Sequence, residues 1–336
     1  MFILFKIYYM EYRRLGRSGL QVSLLSFGSW LTFGNQISDE LAEELMIEAY
    51  DQGVNFFDNA EGYAEGKSEI VMGNILKKMA WDRTSYIVSS KVFFGCGPKG
   101  PNQTGLSRKH IFEACHAALK RLQLDYLDLY FCHRPDKNTP MEEIVWSMNQ
   151  LIQQGKILYW GTSQWSAQEL MAAHMVAKEY RLIGPTMEQP HYNMFHRDRV
   201  EEEYKLIYTT VGLGTTIWSP LASGTLTDKY LKEIPTGTRM DLPGEEWLKT
   251  RSLTQEKLDK IRGLNNLALE LNTSLAKLAV AWCIQNKNVS TAILGASKVV
   301  QLKETLSSID LLPKMTAEVN HSIEKILQNK PKETKY

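Results

Sequence analysis

Read for polarity alone, the chain alternates two textures. Short runs of aliphatic and aromatic residues occur at Leu24–Trp30, Asn55–Ala60, Ser85–Lys91, Leu127–Arg134, Ile157–Ser163, Thr186–Gln189, Gly214–Pro220 and Ser290–Gly295. Several are apolar on consecutive residues, the pattern of parallel strands covered on both faces. The stretches between them space their apolar residues three or four apart, as amphipathic helices do. Ile111, Cys115, Ala118 and Leu122 mark one helix, with Ser107 placed to cap its first turn. Met141, Ile144, Val145, Met148, Leu151 and Ile152 mark another, followed by Gly155 where a helix end favours glycine. Leu275, Leu278, Ala279 and Trp282 mark a third.

Eight strand–helix units within 336 residues predict an α/β chain folded as a single (β/α)8 TIM barrel, with a doubly wound parallel sheet as the alternative. Two connections are long: Phe94–Gly105 after the third strand and Leu221–Leu253 after the seventh. Both follow strand C-termini, the face on which barrels carry their active sites. A further helix at Met315–Leu327 is expected to close the chain on the outside. The barrel is expected over residues 11–330, with a short N-terminal extension at 1–10 and a tail at 331–336. The opening MFILFKIYY is apolar but shorter than the roughly 20 residues of a membrane span. It also lacks a small-residue cleavage site, so an extra strand, or a start upstream of Met10, is expected there rather than a secretory signal.

Composition narrows the class. Hydrophobic residues at 43% and charged residues at 23% exclude a disordered, collagenous or coiled-coil chain. The 39 Lys and Arg against 38 Asp and Glu give a net charge of +1, which supplies no reason to expect nucleic acid or an acidic membrane as partner. Cys96, Cys115, Cys132 and Cys283 form neither a CxxC pair nor a regular framework, so free thiols in a reducing compartment and no metal site are expected.

The chemistry gathers where the apolar runs end. The second run closes on Asp58, the third on Lys91, and the fourth reaches His133; Tyr63 follows Asp58 in the next loop. Singly, each has an ordinary reading: a cap, a solvated lysine, a structural histidine. Together they place a carboxylate, an ammonium, a phenol and an imidazole on one rim. A tyrosine hydroxyl titrates near 10 and is a poor acid at neutral pH. A neighbouring ammonium lowers that value, and a buried carboxylate keeps the ammonium charged. The expected product is a general acid able to protonate the oxyanion formed when hydride reaches a carbonyl, with His133 orienting the carbonyl oxygen. Gly95-Cys-Gly97-Pro-Lys-Gly100 fits GxGxxG after a strand, but Pro98, Pro101 and Gly105 preclude an immediate helix. It reads as a substrate-side loop rather than a dinucleotide fingerprint.

With FDNAEGYAEGKSE, SSK and HRPD around these residues, the chain resembles the aldo-keto reductase superfamily from about Glu11 to Pro331. The segments LGRSGLQVSLLSFGSW, GLSRKHI, RPDKNTPMEEI, YWGTSQWS, WSPLASG and ILGASKVVQLKE are most similar to the branch of voltage-gated potassium channel beta subunits. The resemblance implies a barrel that binds NADP(H) without a Rossmann domain and reduces aldehydes or ketones. It implies Tyr63 as proton donor, tuned by Lys91 and Asp58, with His133 orienting a small carbonyl substrate. Ser163, Gln164 and Gln189 match positions around the nicotinamide carboxamide, and Trp218 the aromatic that stacks on the ring. Ser219, Pro220, Leu221, Ser223, Lys229 and Arg239 match the loop over the pyrophosphate. Gly295, Ser297, Gln301 and Glu304 match the adenosine end, with Lys298 as a further charge there; Ser29, Trp30 and Gln36 match positions after the first strand. The branch also implies a cytoplasmic homotetramer and a potassium channel's cytoplasmic domain as partner, in which a cofactor-sensing subunit with slow catalysis is the alternative function. Three positions depart from that branch. His133 stands where its members commonly carry Asn, Gln164 replaces an Arg, and Thr305 replaces an Asn.

Overall fold

The computed structural model describes residues 10–231, 234–236, 239–241, 249–250 and 252–333. Most of the expected extension at 1–10, part of the long connection at Leu221–Leu253 and the last residues of the tail lie outside the described residues.

All eight apolar runs form strands, and the strands close. They are β3 (Leu25–Gly28), β4 (Phe56–Asp58), β5 (Ile87–Val92), β6 (Leu127–Cys132), β7 (Ile157–Ser163), β8 (Met187–Gln189), β9 (Gly214–Trp218) and β10 (Thr291–Leu294). Each pairs in parallel with its sequence neighbours, and β10 pairs with both β9 and β3. Closure rules out the doubly wound sheet, which keeps two edges. The registers Phe56↔Ile87, Asp58↔Ser89 and Lys91↔Phe131 set the rim residues of three neighbouring strands side by side.

The helices start where short polar side chains satisfy their free amides. Ser107 accepts from the His110 amide at the head of Arg108–Leu122, and Ser166 and Glu169 form a reciprocal capping box ahead of Ala167–Glu179. Gly155, at φ 66°, takes the left-handed conformation just past Met141–Gln153. The closing helix runs Ala317–Leu327 with Thr316 as cap. Between barrel and helices lies the larger apolar core, which includes Trp160, Trp165 and Tyr130. Cys96 is exposed and the other three cysteines are buried as free thiols.

Two features were not anticipated. A hairpin of β1 (Tyr12–Arg14) and β2 (Gln21–Ser23) precedes the barrel. Its Leu15 and Val22 pack among Phe56, Ile87, Leu129, Phe131, Met187 and Ile293, inside the barrel at the N-terminal ends of the strands. The hairpin therefore plugs the floor. Between β8 and β9, a π-turn at Arg199–Glu203 and the six-residue helix Lys205–Thr210 stand in place of a full-length helix. No single helix among the described residues is long and apolar enough to cross a membrane.

Candidate active site

Side chains alternate faces along a strand. Two residues above the apolar floor, the inward positions therefore become Asp58, Ser89 and Gln189, and then Lys91 and His133. Asp58 and Lys91 are 3% and 0% exposed, an ionised pair that can persist there only with every polar atom engaged. The Lys91 ammonium donates to Asp58 Oδ2 at 2.6 Å, to the Asn59 carbonyl at 2.7 Å and to Tyr63 Oη at 3.1 Å. The other Asp58 oxygen accepts from Ser89 Oγ at 2.7 Å and Gln189 Nε2 at 3.0 Å. A Cβ on Gly28 would meet Ile293 Cγ2 at 2.6 Å and stand 3.9 Å from Asp58 Oδ2, so the first strand passes this cluster at glycine contact.

The electrostatics follow from that burial. Lys91 is pushed down by desolvation, but Asp58 and Tyr63 outweigh it and hold the ammonium above its ordinary value. Burial raises the Tyr63 hydroxyl, and the Lys91 charge offsets only part of that rise. This corrects the expectation of a lowered tyrosine: the phenol stays protonated at neutral pH and yields its proton only to a stronger base. The His133 ring meets Tyr63 edge-on at 5.7 Å and Phe94 at 5.0 Å. Burial, then the charges of Lys91 and Arg134, hold its pKa well below the usual imidazole value, so it is neutral at pH 7.

Above the cluster opens a cavity of about 750 Å³, within the roughly 300–1,000 Å³ of cofactor and ligand sites. Its inner end carries Asp58, Tyr63, Phe94, His133, Ser163 and Gln189. Trp30, Gln36 and Trp218 line its middle, where the Trp218 ring stacks at 4.1 Å on His191 and meets Trp30 edge-on. Ser219, Pro220, Leu221, Ser223 and Lys229 form one wall. Gly295, Ser297, Lys298, Gln301 and Glu304 form the far end, where the helix Val299–Leu306 starts without a side-chain cap. Its free amides and Lys298 suit a phosphate. A cavity of this volume, lined by the tyrosine, an aromatic plane and a basic helix start, fits a nicotinamide dinucleotide.

Two expected cofactor contacts do not line the cavity. Ser29 instead donates to the Asp58 carbonyl at 3.0 Å and fastens the first strand to the second. Gln164, at φ 63°, turns toward Arg199, which donates to its Oε1 at 3.1 Å. Lys91, expected to tune Tyr63 rather than to touch a ligand, does not line the cavity and donates to the Tyr63 hydroxyl. Arg239 belongs to a short 3-10 turn, and its side chain lies outside the described residues.

Sequence reasoning passed over three groups. Glu61 is buried and accepts the Phe93 and Gly95 amides, each at 2.8 Å, which brings Phe94 to the cavity. Glu188, on the outer face of β8, is raised to about 8 by burial despite bonds from Thr162 and two backbone amides. Arg134 lines the cavity beside His133. Arg134 left a trace within HRPD and Glu61 within FDNAEGYAEGKSE; Glu188 left none.

A closed parallel barrel with Asp, Tyr, Lys and His on its C-terminal rim defines a class of reductases, and residues 24–328 match the model of the Aldo/keto reductase family. The chain belongs to that family, whose members generally use NAD(P)H. Over 326 residues, 97% of this chain and 99% of the relative, it is 50% identical to a protein of Oryza sativa subsp. japonica named as a probable voltage-gated potassium channel subunit beta. An Arabidopsis thaliana protein of the same name is 49% identical over 324 residues, covering 96% of this chain and 98% of the relative.

Proposed function

We propose that this protein is an NADPH-dependent reductase of aldehydes or ketones with Tyr63 as general acid. The observation that carries the reading is the Lys91 ammonium, 2.6 Å from Asp58 and 3.1 Å from Tyr63 Oη at the inner end of the cavity. When bound, the cofactor supplies hydride to the carbonyl carbon. The residues do the rest. Tyr63 donates a hydrogen bond to the carbonyl oxygen and releases its proton as negative charge builds there, because an alkoxide is a stronger base than a phenolate. Lys91 stabilises the phenolate left behind, and Asp58 keeps Lys91 charged. Neutral His133 polarises the same oxygen without competing for the proton. Trp218 lies against the nicotinamide; Ser163 and Gln189 hold its amide. Lys298 and the first amides of the helix Val299–Leu306 receive the 2′-phosphate, which sets NADPH ahead of NADH.

The test is NADPH oxidation by purified protein against a panel of aldehydes and ketones. Tyr63→Phe is expected to lose about 10²–10⁴-fold in turnover while still binding NADPH. Unchanged turnover, or a flat panel, overturns the reading.

A second reading takes its support from the names of the rice and Arabidopsis relatives. In it the chain is a cytoplasmic, cofactor-sensing subunit attached to a potassium channel. His133, where that branch commonly carries Asn, favours catalysis, and the two roles are compatible. Co-purification with a potassium channel's cytoplasmic domain tests it, and a protein that ignores such domains sinks it.

A further inference from the structure

The inner end of the cavity holds one charge that hydride and proton transfer do not use. Arg134 lies on the cavity wall beside Tyr63, Phe94, His133 and Ser163. Its guanidinium sits 5.5 Å over the Phe94 ring, and Phe94 in turn meets His133. A continuous row thus leads from the tyrosine hydroxyl to the guanidinium.

Its partners are unusual among the arginines of this molecule that are at least half-buried. Arg83 grips Asp128, Arg121 grips Glu69, Arg197 grips Glu201 and Glu324, and Arg199 pairs with Glu203. Arg134 donates from Nη1 to the His133 carbonyl at 2.5 Å and the Ser163 hydroxyl at 3.4 Å, both neutral acceptors. Among the described residues no carboxylate pairs with it. The acid whose field reaches it is Glu188, held near 8 and so mostly protonated at neutral pH. A guanidinium carries five N–H donors in a fork that matches a carboxylate, and Arg134 lines the cavity with only these two neutral acceptors on its Nη1. A half-buried charge without a counter-charge is costly, and a bound anion relieves it.

We propose that Arg134 selects carbonyl substrates that carry a carboxylate, the acid group pairing with the guanidinium while the carbonyl oxygen rests between Tyr63 and His133. The substrate class is aldehyde acids or oxo acids. This rests on the reductase reading of the same cavity. A charged hydrogen bond of this kind corresponds to about a 10- to 150-fold preference over a neutral isostere.

The experiment compares kcat/KM for two matched pairs: 4-carboxybenzaldehyde against methyl 4-formylbenzoate, and succinic semialdehyde against methyl 4-oxobutanoate. Wild type is expected to favour the acid at least tenfold in one pair or both. In R134M and R134Q the acid-to-ester ratio is expected to fall to about one. The ratio is independent of how much of a variant is folded, and an arginine that only steadied Ser163 would lower both members together. A wild-type ratio near one in both pairs, or a ratio that survives R134M and R134Q, overturns the proposal. If wild type reduces none of the four aldehydes, the reductase reading falls and thermal unfolding with benzoate decides. A midpoint raised in wild type but not in R134M keeps the anion site; no rise, or an equal rise, removes it.

Discussion

The two ends of the barrel are built from the same eight strands and obey opposite rules. At the floor, Leu15 and Val22 of the hairpin meet Phe56, Ile87, Leu129 and Met187 in an apolar plug. Two residues further along the same strands stand Asp58, Ser89 and Gln189, and beyond them Lys91 and His133. Backbone conformation divides the same way. Left-handed residues on the floor side, such as Ala80 and Gln123, are helix C-caps that satisfy free carbonyls. On the rim, Leu31, Ala64, Glu65, Gln164, Ser219 and Ser223 are left-handed within loops beside the cavity, where strain collects at functional sites. The floor contributes stability and the rim contributes chemistry, and a shift of two residues along a strand separates them.

Substitutions can break that division. The largest effect belongs to the rim: Tyr63→Phe is expected to lose its 10²–10⁴-fold in turnover while stability falls by only about 1–3 kcal/mol, the cost of leaving one Lys91 hydrogen without its acceptor. At the floor, Phe56→Ala is expected to cost about 3–5 kcal/mol of stability by denaturant titration, with kcat per folded molecule retained. A floor variant that lost kcat and kept its stability would erase the distinction.

The buried ion pair is a sharper case, because it belongs to both accounts. Asp58→Asn leaves Lys91 without its counter-charge and is expected to cost about 3–5 kcal/mol, whereas adding Lys91→Met should restore part of it while activity stays lost. Equal stability of single and double variants would show that the pair is not coupled. The smallest effect is a pH dependence. Glu188 titrates near 8 in the folded chain and near its ordinary value when unfolded, so the folded state binds the extra proton between them. Its contribution is therefore full in acid and is lost as pH rises toward 8, on the order of a few kcal/mol. In Glu188→Gln the fall in stability between pH 5 and pH 8 should shrink; an unchanged slope assigns it elsewhere.

The strands and the four rim residues were legible because a parallel strand is apolar throughout, so an ionisable residue at its end stands out. Asp58, Lys91 and His133 announced themselves in that way. The hairpin did not. Its strands, Tyr12–Arg14 and Gln21–Ser23, are three residues each and mostly polar, and nothing in so short a run separates strand from loop. Tyr63 was placed correctly, yet the direction of its shift was misjudged, since the sequence shows the neighbouring charge but not the depth of burial. Gln164 and Ser29 lie beside residues that do line the cavity, and one step along a strand end reverses the face. Arg134 and Glu188 owe their interest to what surrounds them, and neither spacing nor composition records a missing counter-charge.

The three hydrogens of the Lys91 ammonium are all committed, to Asp58, Asn59 and Tyr63. The lysine cannot hand a proton upward without abandoning a partner, and the plug below it is packed chiefly with apolar side chains that carry no proton. In the proposed reaction Tyr63 is therefore recharged after each turnover through the mouth by which the product leaves. On that reading, departure of the alcohol and resetting of the acid share one door, and the barrel is a cartridge that reloads only when it opens.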